Sequence, residues 1–174
     1  ADVDDPGLSR FTSYGYNNAT EYINGSAYIN PCSVFSGNDL AAVQKILTNS
    51  SFDTLSISWG ITTNDSSKPF NPDYRAISFL MPISKIFTEN DFLAFNGRRF
   101  ASDTITVTME LFNNTSFKIL SGTANIYFVK VNIDNSGAEK RFAFSGLCNG
   151  NIGDSILITK GRFDFDVPAT NFNF

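Results

Sequence analysis

The chain contains no histidine, and that absence removes the side chain most enzymes use as a general base near neutral pH. Ser-His-Asp and Cys-His triads are excluded, along with most catalytic zinc sites. Carboxylate pairs of the kind glycosidases use survive as a formal option. The candidates are Glu21, Asp39, Asp73, Glu89, Asp91, Glu110, Asp164 and Asp166. Asp164 and Asp166 alternate with Phe163, Phe165 and Val167, so strand parity assigns them to a solvated face, and Glu110 faces outward by the same argument. No catalytic residue is assigned, an enzyme is not expected, and a carboxylate hydrolase stands only as a rival.

The two cysteines, Cys32 and Cys148, are far apart and have no metal-ligand spacing. Either they form a disulfide or they are two buried thiols. The disulfide is the sharper reading; it would close a loop of roughly 115 residues, worth about 4 to 5 kcal/mol in the chain-entropy model, and would need an oxidising compartment. The glycines are scattered at turns and form no phosphate cradle. The oxygen-rich runs 64–66 and 134–136 lack the alternating acids and terminal glutamate of a calcium loop, and turn chemistry explains both. No cofactor and no metal is expected.

Trp59 and the tyrosines, Tyr14 and Tyr16 among them, could form an aromatic platform for a sugar if several shared an exposed face. Against this, Trp59 alternates with Leu55 and Ile57, which is the pattern of a core residue. Sequons occur at Asn18, Asn24, Asn49, Asn64, Asn113 and Asn114, several of which chance supplies in a chain so rich in Asn, Ser and Thr. Asp53-Thr54-Leu55, Asp103-Thr104-Ile105 and Asp154-Ser155-Ile156 share a pattern of acid, hydroxyl and aliphatic residue. It resembles the O-glycosylation acceptor motif of Bacteroidetes exported proteins, which would make Thr54, Thr104 and Ser155 acceptors; ordinary strand-start sequence gives the same pattern.

The elements that must position these residues are strands. Ile105, Val107, Met109 and Leu111 interleave with Thr104, Thr106, Thr108 and Glu110, the period of a half-buried antiparallel strand. The same alternation runs through 54–59 and 163–167. Segments 22–29, 75–81, 124–133, 141–144 and 155–159 bring the expectation to about eight strands, an all-β antiparallel sandwich or small barrel. The polar run 134–137 predicts a hairpin turn, and Lys160-Gly161 predicts another. Leu40, Val43, Ile46 and Leu47 stand at helical spacing behind Asn38 or Asp39 as cap, predicting one short helix over 39–48.

With 174 residues the chain suits one domain, read as 11–174 behind a flexible acidic tether, 1–10. Charged residues make up only 17% and the net charge is −4, so the polar surface is built from Asn, Ser and Thr, and nucleic acid is not an expected partner. No apolar run is long enough to span a bilayer.

The C-terminal third resembles small Bacteroidetes exported lipoproteins of unknown function. The likeness is carried by Ser121-Gly122-Thr123, by Arg141-Phe142-Ala143-Phe144-Ser145-Gly146 and by the run from Asp154 to Asp164, in which Thr159-Lys160-Gly161 precedes a Phe-Asp strand. The apolar stretch 77–83 resembles their strand ending at proline. The resemblance implies a lipid-modified cysteine just before Ala1 and a place on the cell surface or outside it, and it carries no catalytic residues. The expected function is a non-enzymatic structural or interaction component of an envelope assembly with protein neighbours; the alternative is a carbohydrate-binding module using exposed aromatics.

Overall fold

Hydroxyl-bearing and apolar residues alternate along most of the chain, and the backbone answers with extended strands that hold one face inward. A computed structural model describes residues 4, 8, 11–12, 18–30, 41–47, 52–63, 74–112, 117–153 and 155–172. Its strands are β1 (Asn18–Ile23), β2 (Ser26–Ile29), β3 (Ala41–Leu47), β4 (Phe52–Thr63), β5 (Tyr74–Ser84), β6 (Arg99–Phe100), β7 (Thr106–Phe112), β8 (Phe117–Asp134), β9 (Arg141–Ile152) and β10 (Ile156–Pro168). A helix, α1 (Glu89–Leu93), and a final 3-10 turn (Ala169–Phe172) complete the described elements.

Hydrogen-bonded neighbours run in the order β2-β1-β10-β9-β8-β7-β5-β4-β3. β2 also pairs β4, through Tyr28 opposite Thr63 and Ile29 opposite Thr62, and this closes the sheet into a ring. Every described pairing is antiparallel. The all-β expectation holds, and of its two forms the molecule takes the barrel. β6 lies off the ring and pairs β8 where β7 has not yet begun.

Inside, Leu55, Ile57, Trp59 and Ile61 meet Ile77, Phe79 and Met81, with Phe142, Phe144, Phe163 and Phe165 completing the wall, all buried. Each such side chain contributes about 1.5 to 3 kcal/mol by leaving water. Trp59 stands among aromatic rings, with centroids 5.1 Å from Phe79 and 5.5 Å from both Phe163 and Phe165. α1 packs over the end where β9 begins and β10 finishes. Its Phe92, fully buried, lies 5.5 Å from Phe142, 5.8 Å from Phe144 and 4.7 Å from Phe172.

Three local readings are corrected. Residues 41–47 are not helical; they form β3, paired with β4 from Ala41 opposite Trp59 to Leu47 opposite Asp53. A helix of that length is marginal alone, whereas Val43 and Ile46 favour a strand once β4 offers a complete edge. The short helix is α1 instead, whose start is a reciprocal cap: Thr88 accepts from the Asp91 N–H, and the Asp91 carboxylate accepts from the Thr88 N–H at 2.7 Å. Segment 22–29 is not one strand but the β1–β2 hairpin, because Asn24 (φ 50°) and Gly25 (φ 81°) take the left-handed pair that a two-residue turn needs.

Lys160-Gly161, expected to turn the chain, instead forms a β-bulge within an unbroken β10. The register with β9 jumps between Ile158 opposite Gly150 and Gly161 opposite Cys148, so Thr159 and Lys160 together face one residue of the neighbouring strand. The turn falls earlier, at Gly153 (φ 58°). The 134–137 turn is as expected, with the Ser136 N–H donating to Asp134 Oδ1 at 2.8 Å.

Candidate functional site: a groove on the outer face of β8, β9 and β10

The outward residues of β8 and β9 are amides and an aromatic where the inward ones are apolar. Asn125 and Tyr127 alternate with buried Ala124, Ile126 and Phe128, and Leu147 and Asn149 with buried Gly146 and Cys148. β6 and the exposed turn after it stand along one side of this surface, and the β10 bulge along the other. Between them lies a groove of about 670 Å³, lined by Arg99, Phe100, Asn125, Tyr127, Leu147, Asn149, Lys160 and Arg162 among others. A second hollow of about 370 Å³ shares Asn125, Asn149 and Lys160 with it and continues past Ser102, Thr123, Asn151 and Thr159. Both volumes suit a small polar ligand or a short segment of a larger one.

Within the groove the polar groups are held in fixed positions. Asn125 Nδ2 donates to Asn149 Oδ1 at 2.8 Å, and Asn125 Oδ1 accepts from the Ser102 N–H at 3.0 Å. That accounts for the Asn149 oxygen and leaves its two N–H donors. The Arg99 guanidinium lies 3.9 Å from the Tyr127 ring centroid, a stack that fixes the plane of its donors. Across the groove the bulge places Lys160 on the outer face, at a left-handed φ of 50°.

The buried polar groups of the barrel are a separate matter. Glu21 points inward between Ala19 and Ile23. Its Oε1 accepts from Trp59 Nε1 at 3.3 Å and its Oε2 has no partner. Burial pushes this carboxyl from 4.5 to about 8, with the Trp59 bond opposing. Burial, reinforced by the neighbouring Glu21, also pushes the Cys148 thiol well up, so it remains an inert thiol near neutral pH. Cys148 is a free, buried cysteine among the described residues, and the other half of the expected disulfide is not among them. Its sulfur lies inside the wall, where a Cβ at Gly161 would collide with it, and Cys32 falls outside the described residues.

Other expected positions are redistributed. Trp59 is 2% exposed and so belongs to the core, not to an outer sugar platform; Tyr14 and Tyr16 lie outside the described residues. Asp164, assigned to a solvated face, is 1% exposed and accepts from Thr12 Oγ1 at 2.5 Å. Within the tether span Leu8 is buried. Asp166 is half-covered and clamped by Arg141 Nε at 2.7 Å. Its carboxyl is raised by partial burial and by the bond it shares with Asp134, while Asp134 is held down at about 2 by that same bond and by Ser136. This acid pair ties the end of β10 to the β8–β9 hairpin and does not line the groove. Thr104 and Ser155 stand exposed at the turns before β7 and β10, whereas Thr54 sits half-buried within β4 between Ile46 and Pro82.

Sequence reasoning did not bring the groove residues together. The available signal was the polar outward row Thr123, Asn125, Tyr127 in β8 beside Asn149, Asn151 in β9, where threonine and serine serve elsewhere. Among the described residues no group of three Cys, Asp or Glu is placed to hold a metal ion, and no helix is long and apolar enough to cross a membrane. No family model, curated protein or solved structure matches the chain.

Proposed function

We propose that the chain is a non-enzymatic binding protein of the cell exterior that takes a saccharide in the β8–β10 groove. It is read as an exported surface lipoprotein whose contact within an envelope assembly is made through glycan. One observation carries the reading: an aromatic-guanidinium stack, an ordered amide pair and hydroxyl residues converge on one groove. Sugars present apolar C–H faces edged by hydroxyls, and that combination of ring, amide and hydroxyl satisfies both. A non-catalytic role is supported by the lining, whose thiol is raised by burial and whose described residues include no carboxylate.

The test is saturable binding to a panel of oligosaccharides, repeated with Tyr127→Ala and Asn149→Ala. Both residues face outward, so the variants keep the fold; a loss of about tenfold or more supports the reading. Absence of binding to every saccharide would retire it. A second reading, direct protein contact, is favoured by Phe117 and Ile119, which are 57% and 55% exposed on one face of β8. It predicts retained assembly with Tyr127→Ala and loss with Phe117→Ser. We also propose O-glycans at Thr104 and Ser155; peptides from native material that carry no added mass at either site would remove this part.

A further inference from the structure

We infer that the saccharide held in this groove carries an acetamido group, its carbonyl accepting from Asn149 and its methyl lying against Leu147. The inference rests on the saccharide-binding reading above and adds the ligand's defining substituent. The cations of the lining are already engaged: Lys160 and Arg162 carry interactions within the chain, Arg162 is buried, and Arg99 is stacked on Tyr127. The recognition surface that remains is neutral, made of exposed amides and apolar groups on β8, β9 and the turn after β6.

The amides form a chain with one direction. A backbone N–H can only donate, so the Ser102 N–H, 3.0 Å from Asn125 Oδ1, determines which way the Asn125 amide faces. Asn125 Nδ2 is thereby turned to Asn149, whose Oδ1 accepts it at 2.8 Å, and Asn149 is left with N–H donors to present to a ligand. Asn125 and Asn149 stand opposite each other in the β8–β9 register and line both hollows, so the chain of amides ends at their junction. Each bond polarises the next and strengthens the terminal donor. A carbonyl oxygen, which only accepts, suits that donor better than a hydroxyl, which must also place a proton of its own. Two residues along each strand, about 7 Å away, Tyr127 stands opposite Leu147, which is 42% exposed, and the exposed Ala101 lines the same hollow. An apolar step one rung from an amide donor matches the methyl and carbonyl of an acetamido group on a sugar ring resting against Tyr127. A sugar bearing only hydroxyls would set polar groups against Leu147 and Ala101 with no bond in return.

Isothermal titration would compare two matched pairs, chitotriose with cellotriose and methyl N-acetylgalactosaminide with methyl galactoside. The members of a pair differ only in carrying acetamido or hydroxyl at the same ring carbon, and an N-acetyl-trialanine amide serves as a peptide control. The acetamido member of at least one pair should bind about tenfold or more tighter than its partner, and which pair shows it names the sugar. Asn149→Asp keeps an acceptor for Asn125 while removing the donors, and should bring the two members of that pair to within about threefold of each other. Comparable binding within both pairs, absent binding included, or preference for the hydroxyl member in both would overturn the inference; the saccharide reading then stands so long as any oligosaccharide of the panel binds. Binding of no saccharide would overturn both, as would tighter binding of the peptide than of any saccharide. A folded Asn149→Asp that keeps the full preference would overturn the inference alone.

Discussion

Lys160 occupies a backbone conformation that glycine fills at lower cost, and the same residue lines the groove. Left-handed geometry costs a side-chain-bearing residue about 1 to 2 kcal/mol, partly offset by glycine's larger loss of freedom on folding. Lys160→Gly should therefore leave stability unchanged or raise it by about 1 kcal/mol, read from the denaturant midpoint; a clear loss would mean that the lysine stabilises the bulge. Glu21 gives a second residue-scale prediction. Its carboxyl titrates near 4.5 when unfolded and about 8 when folded. Below 4.5 both states are protonated and the group has no effect. Between 4.5 and 8 the unfolded chain ionises while the folded one holds its proton, so stability falls by up to about 1.4 kcal/mol per pH unit. Above 8 the loss is complete, on the order of 5 kcal/mol. Glu21→Gln keeps an acceptor for Trp59 and should flatten this decline, giving a variant more stable than the parent at pH 9 and little changed at pH 4. Equal slopes for the two would show that the carboxyl is solvated.

At the scale of the element, α1 fastens the barrel end through one ring. Phe92→Ala should cost about 3 to 5 kcal/mol, and Thr88→Ala, which removes the cap alone, about 1 kcal/mol. Similar losses for both, by chemical denaturation, would mean that the cap and not the ring holds the end closed. The helix also shows where sequence pattern stops informing. Leu40, Val43, Ile46 and Leu47 mimic a helical stripe, but β-branched residues beside an open β4 edge pair with it, and tertiary pairing overrides spacing. The Thr88–Asp91 cap was the better signal, carried by five residues too few for periodicity to register. Asn24-Gly25 and Lys160-Gly161 look alike as turn dipeptides, yet one reverses the chain and the other bends it, since only the register of β9 separates a turn from a bulge.

For the whole molecule, period-two alternation was enough to give strands, and the inward set Ile105, Val107, Met109 and Leu55, Ile57, Trp59 is buried as that alternation requires. Ring closure was not legible, because it rests on the two residue pairs that join β2 to β4. Nor was the buried state of Asp164, since parity names a face without saying what covers it. The barrel wall is tight where β9 passes β10: a Cβ at Gly146 would meet the Phe163 ring at 2.6 Å and the Tyr127 carbonyl closer still. Gly146→Ala should cost about 1 to 3 kcal/mol, seen as a lower melting temperature, and a neutral result would indicate a wall with room to relax.

The groove stands on that wall, and its role is the claim on which the functional account turns. The most direct measurement is a two-dimensional amide NMR titration of the whole chain with each member of the oligosaccharide panel. At least one of them should give saturable shifts centred on Asn125, Tyr127 and Asn149, absent in Tyr127→Ala. Saturating shifts centred on Phe117 and Ile119, or a spectrum that moves with none of the panel, would contradict that role.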